Sequence, residues 1–394
     1  MYKNIRSLTR KGFLISFCKR RQKETGNLKQ NESWVVLRKN LNFIGMNYGI
    51  SVLFRAIPLV MALFCFGFGT FIFVYGDDAN RMVAGPVVFS LGMICIALFS
   101  TAATIIRQII HTYGTVAKYT LPIVGYLSAI LTIIAGIIIF SHSSTPTDFV
   151  AGHVVAGVGL ITTCVATAAT SSTRFSLIPA NSKADNNDVP TGAFSKRQEY
   201  ILEGVALVTS LIAWIWAFVL LRQSDIHPAY FVAGHVMVGL ACICTSLIAL
   251  VATIARQIRN VYTIQERSSW PNLVLLMGSI ALIWGLFVIF ADSGSTNGVI
   301  GYIMIGLGLV CYSISSKVIL LAKIWRQEFK LANRIPLIPV FTALACLFLA
   351  SFTFELATVH DDYFIPARVL AGLGAICFTL FSIVSILESG TSSK

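Results

Sequence analysis

The chain has 394 residues, of which 56% are hydrophobic and 12% are charged, and it carries a formal net charge of +13. Together with a mean hydropathy of +0.77, this composition excludes an ordinary water-soluble domain and indicates a polytopic membrane protein. The apolar runs reach the roughly 20 residues that a spanning helix needs, whereas the strands of a membrane barrel are short and alternate in polarity. We therefore predict an all-α fold.

Residues 1–45 are polar and basic, with eleven Lys or Arg against Glu24 and Glu32. Their one apolar run, Phe13 to Phe17, is too short for the core of a signal peptide. Two interpretations predict no fixed structure: a disordered cytoplasmic tail, or an extended start upstream of a shorter natural protein that begins at Met46. A membrane-surface helix attracted to anionic lipid is the alternative.

Ten apolar runs follow in chain order and form five pairs. The first helices of the pairs are predicted near residues 52–75, 119–140, 201–221, 271–290 and 336–356. The second helices are predicted near residues 82–106, 149–173, 230–255, 298–322 and 364–387. The chain thus divides into two pairs over 46–174, a Pro- and Asn-containing loop over 175–200, three pairs over 201–388 and a short tail over 389–394.

The second helices share a template. The hexapeptide Phe149 to Val154, Phe-Val-Ala-Gly-His-Val, recurs at Phe231 to Val236. With its glycine as position 0, positions +5 and +7 carry small residues and position +10 is cysteine in four copies. The anchors at position 0 are spaced 67, 82, 67 and 66 residues apart and are Gly85, Gly152, Gly234, Gly301 and Ala367. A fixed period of this kind predicts five tandem copies of one helix hairpin.

The distribution of charge predicts the orientation. Position +22 is basic in four copies, and the loops that join the two helices of each pair are acidic instead. Those acidic residues are Asp77, Asp78, Asp148, Asp225, Asp292, Asp361 and Asp362. By the positive-inside rule both termini face the cytoplasm. Because this asymmetry and the N-terminal tail account for the +13 charge, a membrane role explains it without nucleic acid.

The small residues predict how the helices pack. Positions 0 and +7 lie on nearly the same helix face and position +5 points away from it, and helices in lipid associate through small residues. We expect the second helices inside a compact bundle and the first helices outside or between them. The packing glycines are Gly85, Gly152, Gly159, Gly234, Gly301, Gly308 and Gly374. Packing also explains the thiols at +10; a soft metal such as Cu(I) is the alternative, and we expect neither metal nor disulfides.

Position +1 is the most polar place in the template. Its five occupants are Pro86, His153, His235, Tyr302 and Arg368. If the second helices converge, His153, His235, Tyr302 and Arg368 form a collar at the outer mouth, and Asp148 would raise the pKa of a nearby imidazole. The collar would act as a pH-responsive gate. The structural alternative is that each imidazole bonds a loop carbonyl or water.

Lys317 is the charge that lies deepest in a predicted span. An ionisable residue within a span is a candidate functional site, because burying it unpaired is costly. Glu203, a few residues into the fifth helix, is its predicted partner. Snorkelling of Lys317 to the inner headgroups is the alternative.

Three segments carry a resemblance to a known family: Ser176 to Pro179, Ala332 to Pro339, and the long run from Leu370 to Glu388. With the template, they make the chain from about Met46 to its C-terminus resemble the YhiM family of bacterial inner-membrane proteins. The resemblance implies a multi-pass protein of the inner membrane with an association with envelope and acid stress. It implies no catalytic or transport residues.

Several functions remain open on the sequence. The first is a channel-like pathway for a small solute or ion; the second is a non-transporting scaffold that binds lipid or a partner protein, and a homo-oligomer fits either. A third is a redox protein with haem held between His153 and His235. An enzyme is not expected, since HExxH, GxSxG and paired intramembrane carboxylates are missing from the sequence. We expect no cofactor.

Overall fold

A computed structural model of the chain describes residues 53–54, 56–76, 81–110, 112–178, 189–291, 294–326 and 334–391. Over these residues the regular structure is helical, and ten helices are long and apolar enough to cross a membrane, as predicted. They are α1 (Ala56–Tyr75), α2 (Arg81–Ile109), α3 (Thr115–Ser141), α4 (Pro146–Ser171), α5 (Lys196–Arg222), α6 (Pro228–Ile258), α7 (Glu266–Ala291), α8 (Ser295–Arg326), α9 (Leu337–Leu356) and α10 (Phe364–Thr391). Two short 3₁₀ helices, Ser172–Leu177 and Asp361–Tyr363, follow α4 and precede α10.

Two predicted segments fall partly or wholly outside the described residues. The N-terminal segment 1–45 lies outside them, and so does the stretch 179–188 of the predicted loop over 175–200. The rest of that loop is shorter than predicted, because α5 begins at Lys196. Its start is fixed by a capping box in which Ser195 Oγ accepts from Gln198 N and the Gln198 side chain accepts from Ser195 N.

Helix starts at the other end of the bundle are also set locally. Thr145 Oγ1 accepts from Asp148 N at 3.2 Å and Pro146 follows in the first turn of α4. His227 Nδ1 accepts from Ala229 N at 3.1 Å and Pro228 opens α6 in the same way. Proline suits the first turn because its missing N–H would have no helical partner there. We call this end, where the two helices of each pair are joined, the hairpin end, and the opposite end the basic end.

The second helices of the pairs form a closed inner ring. The inner helices α2, α4, α6, α8 and α10 each pack against the next, and α10 packs against α2. The outer helices α3, α5, α7 and α9 each pack against their own partner and against the preceding inner helix. In the most apolar 18-residue stretch of each helix, 28–33% of residues are buried in outer helices and 67–89% in inner helices. The exposed apolar side chains of the outer helices therefore make a belt that suits lipid.

The glycines at positions 0 and +7 face the outer helices. A β-carbon on Gly152 would overlap the backbone nitrogen of Phe140, and one on Gly159 would lie 2.8 Å from that of Ile133. Gly301 and Gly308 also approach the backbone of α7 closely, at Gly285 and Gly278 respectively. The small residues thus bring each inner helix to backbone contact with its outer partner.

The residues at position +5 face the neighbouring inner helix instead. A β-carbon on Gly157 would lie 2.6 Å from Leu240 Cδ1 of α6, and one on Gly239 would lie 2.5 Å from Leu307 Cδ1 of α8. Gly372 of α10 meets Leu91 of α2 at 2.6 Å by the same measure, which closes the ring. Each of these glycines leaves room for a leucine of the next inner helix.

We expect Gly136→Ala to destabilise the protein by about 1–3 kcal/mol, because its β-carbon would overlap the backbone nitrogen of Ala156. Thermal unfolding in detergent measures the effect. Gly204→Ala in α5 is the matched control: its β-carbon meets nothing within 4 Å, so the better helix propensity of alanine leaves stability unchanged or higher. Equal stability of the two variants would contradict the close packing of α3 on α4.

Candidate functional site

A cavity of about 240 Å³ lies on the axis of the inner ring and opens at the hairpin end. All five inner helices line it, at template positions −2, +2 and +6. Its wall is Val83, Val150, Val232, Val299 and Ile365 at −2, then Val87, Val154, Val236, Ile303 and Val369 at +2, then Leu91, Val158, Leu240, Leu307 and Leu373 at +6. The cavity is therefore an apolar funnel with fivefold surroundings, and we call it the vestibule.

Polar groups occur at the mouth of the vestibule. His227, Thr296 and Asp362 line it where α6, α8 and the 3₁₀ helix before α10 begin. Ser295 Oγ donates to Asp362 Oδ2 at 2.9 Å, which links α8 to that 3₁₀ helix across the mouth. The titratable side chains in the wall of the vestibule are thus His227 and Asp362.

Beyond the vestibule the axis narrows. The space between the rings at +6, +9 and +13 is about 30 Å³. The ring at +9 is Ile94, Ile161, Ile243, Val310 and Ile376, and the ring at +13 is Leu98, Val165, Leu247, Ile314 and Leu380. A cavity of about 10–15 Å³ can hold one water, yet a cavity lined only by aliphatic groups stays dry. We call this segment the apolar constriction.

Lys317 lies on the same helix stripe, one step further toward the basic end. It follows Ile314 of the constriction by three residues, which places it on the axial face of α8. Its side chain is only 1% exposed, so the alternative of snorkelling to the headgroups does not describe it. The residues at the matching position of the other inner helices are Thr101, Ala168, Leu250 and Ile383, so Lys317 is the one charged member of its ring.

Glu203 is not the partner of Lys317. Among the described residues no ion pair joins them; Glu203 lies instead near Glu199, Arg256 and Arg259 at the basic end. There the buried Glu199 accepts from Arg256 at 3.4 Å and from Arg259, and Arg256 Nε lies 2.5 Å from Glu266 Oε1. The physical reason is that α5 packs against α4 and α6, whereas Lys317 is on α8.

A buried tyrosine completes this cluster at the basic end. Burial raises the pKa of Tyr262 to about 12. Because the phenol stays protonated at neutral pH, it donates to the backbone oxygen of Glu266 at 3.2 Å. Its ring also packs edge-on against Trp325 of α8, with centroids 5.0 Å apart. The cluster therefore ties the start of α7 to α8 and has a structural role.

The structure places the predicted collar elsewhere than at the mouth. His153 and His235 immediately precede Val154 and Val236, so one residue of helix turns them about 100° away from the axis. Each Nδ1–H donates to the carbonyl four residues earlier, at 2.8 Å. The structural alternative predicts a loop carbonyl, whereas the acceptors, Phe149 O and Phe231 O, belong to the first turns of α4 and α6.

The surroundings of the two imidazoles are aromatic. His153 packs against Phe149, Phe140 and Trp216, and His235 packs against Phe231 and Trp284. His153 therefore contacts the outer helices α3 and α5, whereas His235 contacts the outer helix α7, so the two have different neighbours. A haem held by both would need a shared pocket, and the ring contacts described for them provide none.

The other members of the collar are also off the axis. Tyr302 packs edge-on against Phe352 and Tyr363, and the Arg368 guanidinium lies over the Phe364 ring at 5.0 Å. Asp148 accepts from Ser144 Oγ at 3.5 Å at the start of α4. These residues do not occur in the wall of the vestibule, so His227 and Asp362 take the place that the sequence assigned to them.

The thiols lie between helices. All eight described cysteines are buried and unbridged, and Thr379 of α10 donates to Cys95 Sγ of α2 at 3.7 Å. Within the described ranges, no three His, Cys, Asp or Glu side chains are grouped as a metal site would require. The contacts of the thiols are thus those of packing residues.

The axial stripe was missed at the level of the sequence. Its signal is present, because positions −2, +2, +6, +9 and +13 carry only Val, Ile or Leu in all five copies. An apolar residue in a membrane span, however, is compatible with facing lipid, a neighbouring helix or a central axis, and the sequence pattern does not distinguish these environments. Only the closed ring distinguishes the third case.

Comparison with known proteins gives one family and one relative. The family described as "Protein of unknown function (DUF2776)" matches residues 46–392. The chain is 48% identical over 351 residues to "Inner membrane protein YhiM" of Escherichia coli (strain K12). The aligned region covers 89% of this chain and 100% of that protein. No solved structure matches the chain.

Proposed function

The chain belongs to the DUF2776 family, and from that premise we propose that this inner-membrane protein forms a gated axial pathway for small solutes or ions. The observation that carries the proposal is the closed ring of five inner helices around the vestibule, which narrows into the apolar constriction. A non-conducting bundle needs no axial cavity, since lipid-facing and helix-facing packing would suffice.

The proposed topology follows the charge pattern. The five hairpins are copies of one unit, the basic end and both termini face the cytoplasm, and the vestibule opens to the outer side. Because each unit is a hairpin, all copies share one orientation and lack the inverted symmetry of alternating-access transporters. A channel-like mechanism fits this topology better than a rocking one.

Dewetting explains how the pathway closes. The 30 Å³ of the apolar constriction offer an ion no partner for its hydration shell. Opening requires the inner helices to separate at positions +6 to +13; at the +6 ring, leucines of one helix rest on the +5 glycines of a neighbouring inner helix. Such a contact between a leucine and a glycine face can slide without breaking a hydrogen bond.

Two features of the pathway bear on which ions it prefers and on how it responds to pH. Lys317 sits on the axis beyond the constriction, so its ammonium repels cations and favours anions, as Lys rings do in anion pores. His227 and Asp362, the titratable side chains of the vestibule wall, lie together in the mouth. This pair is the proposed origin of a response to acid, the condition with which the resemblance is associated.

The scaffold remains the second candidate function. It is favoured by the aliphatic lining of the constriction, which supplies no polar group for a permeating ion. The two functions differ in one respect: only the pathway requires solute flux.

The test is flux through purified protein in liposomes. Chloride and proton flux are measured across an outer pH step, with Val236→Cys in the vestibule wall and Val238→Cys on the same helix as the control, since Val238 lies outside that wall. We expect flux above that of empty liposomes, and its loss when an impermeant thiol reagent modifies Val236→Cys but not Val238→Cys. Flux equal to that of empty liposomes under every gradient would support the scaffold.

A further inference from the structure

A second cavity, of about 330 Å³, lies outside the inner ring between α1 and α3. Its floor comes mainly from α2, and its walls come from the two outer helices. Its lining includes Phe73 of α1, Pro86, Phe89 and Ser90 of α2, and Leu131 and Ala135 of α3. We call it the lateral crevice. Phe89 in its floor is 40% exposed, and it is the one exposed large apolar side chain among the described residues of the inner helices.

The crevice exists because two bulky side chains are missing. In the next two clefts around the ring, the histidine at position +1 meets a tryptophan of the following outer helix, with centroids 5.7 Å apart for His153 and Trp216 and 6.1 Å apart for His235 and Trp284. The lateral crevice has Pro86 at position +1.

It also has alanine where those clefts have tryptophan. In those clefts Leu221 and Ile289 each pack on a position-0 glycine. Trp216 lies five residues before Leu221, and Trp284 lies five residues before Ile289. Ala135 precedes Phe140, which packs on Gly152, by the same five residues. The lateral crevice therefore lacks both the histidine and the tryptophan side chain that fill the next two clefts around the ring.

The chemistry of the lining selects an apolar occupant. Two of the three hydroxyls in the lining bond within their own helices: Ser90 Oγ donates to Val87 O at 2.6 Å and Thr132 Oγ1 donates to Ser128 O at 2.7 Å. At the rim, Phe73 and Leu131 are 46% and 56% exposed and belong to the lipid-facing belt. Because the crevice is apolar and opens on the lipid-facing belt, the hydrocarbon of the bilayer is the material that its lining suits. We propose that one acyl chain of a membrane phospholipid occupies the lateral crevice and lies against Phe89.

Photolabelling in liposomes tests this proposal independently of any flux. A phospholipid with a diazirine on its acyl chain is included in the bilayer, and the labelled residues are found by mass spectrometry after photolysis. We expect the segment 89–93 to be labelled several-fold more than 156–160, which is the same part of the template on α4. Equal labelling of the two segments would overturn the proposal.

A pair of tryptophan variants makes the test specific. Ala135→Trp restores the aromatic side chain of the neighbouring clefts and should lower labelling of 89–93 several-fold. Ile134→Trp places the same ring on the lipid-facing side of α3, where Ile134 is 48% exposed, and should leave that labelling unchanged. Labelling of the exposed outer helices reports folding in both variants. If a second copy of the chain covers the crevice, segment 89–93 stays unlabelled in the wild type and the protein is dimeric, which also refutes the acyl chain.

Discussion

Replacing Ile243 with Asn is expected to raise ion flux through the protein by about tenfold or more. Ile243 lies in the ring at +9, in the middle of the apolar constriction, and is 2% exposed. An amide at this point can hydrogen-bond water in a segment that otherwise stays dry. Each 1.4 kcal/mol or so removed from the barrier increases a rate about tenfold. Chloride efflux from liposomes measures the change.

The matched control separates hydration of the axis from damage to the bundle. Val238 is also 2% exposed and lies on the same helix, but it does not line the vestibule or the constriction. Val238→Asn therefore carries the same cost of burying an amide without wetting the axis. If both variants leak equally, the flux comes from disrupted packing, and the dewetted gate is refuted.

The sequence predicted the helices well because their signals are local. Length and hydropathy are local properties, and the ten predicted apolar helices were confirmed; the caps at Thr145 and Ser195 start α4 and α5 a few residues earlier than predicted. The glycines of the template indicated that the second helices would be clasped on two faces, and Gly152 and Gly157 do face different neighbours. What such a pattern leaves open is which face meets the axis.

That undetermined rotation explains where the site prediction failed. The sequence assigned His153 to the mouth because it is polar and near a helix start, yet the residue that reaches the axis is Val154, its neighbour. Similarly, Glu203 is on α5, which packs against α4 and α6, whereas Lys317 is on α8, because the order of helices around the closed ring decides which of them are neighbours. Lys317, the charge that lies deepest in a predicted span, is 1% exposed in the bundle.

Replacing Lys317 with Met should remove the preference of the pathway for anions. At an effective dielectric constant of about 20, two unit charges 4 Å apart interact by about 4 kcal/mol. If one third of that, about 1.4 kcal/mol, acts on a permeating ion, it biases permeability about tenfold. The measurement is the reversal potential in a chloride gradient, made in the Ile243→Asn background. We expect chloride selectivity in that background, and little selectivity once Lys317→Met is added to it.

Two further variants make the result interpretable. Lys317→Arg keeps the charge and should keep the preference for anions. Lys323→Met removes a charge six residues further along α8, where 3.6 residues per turn place the side chain well away from the axial stripe, and should leave selectivity unchanged. Lys317→Met should also unfold at the same temperature as the wild type or higher, because it relieves the cost of a buried charge. Loss of selectivity in Lys323→Met as well, or its persistence in Lys317→Met, would show that the surface charge of the basic end, and not Lys317 on the axis, selects the ion.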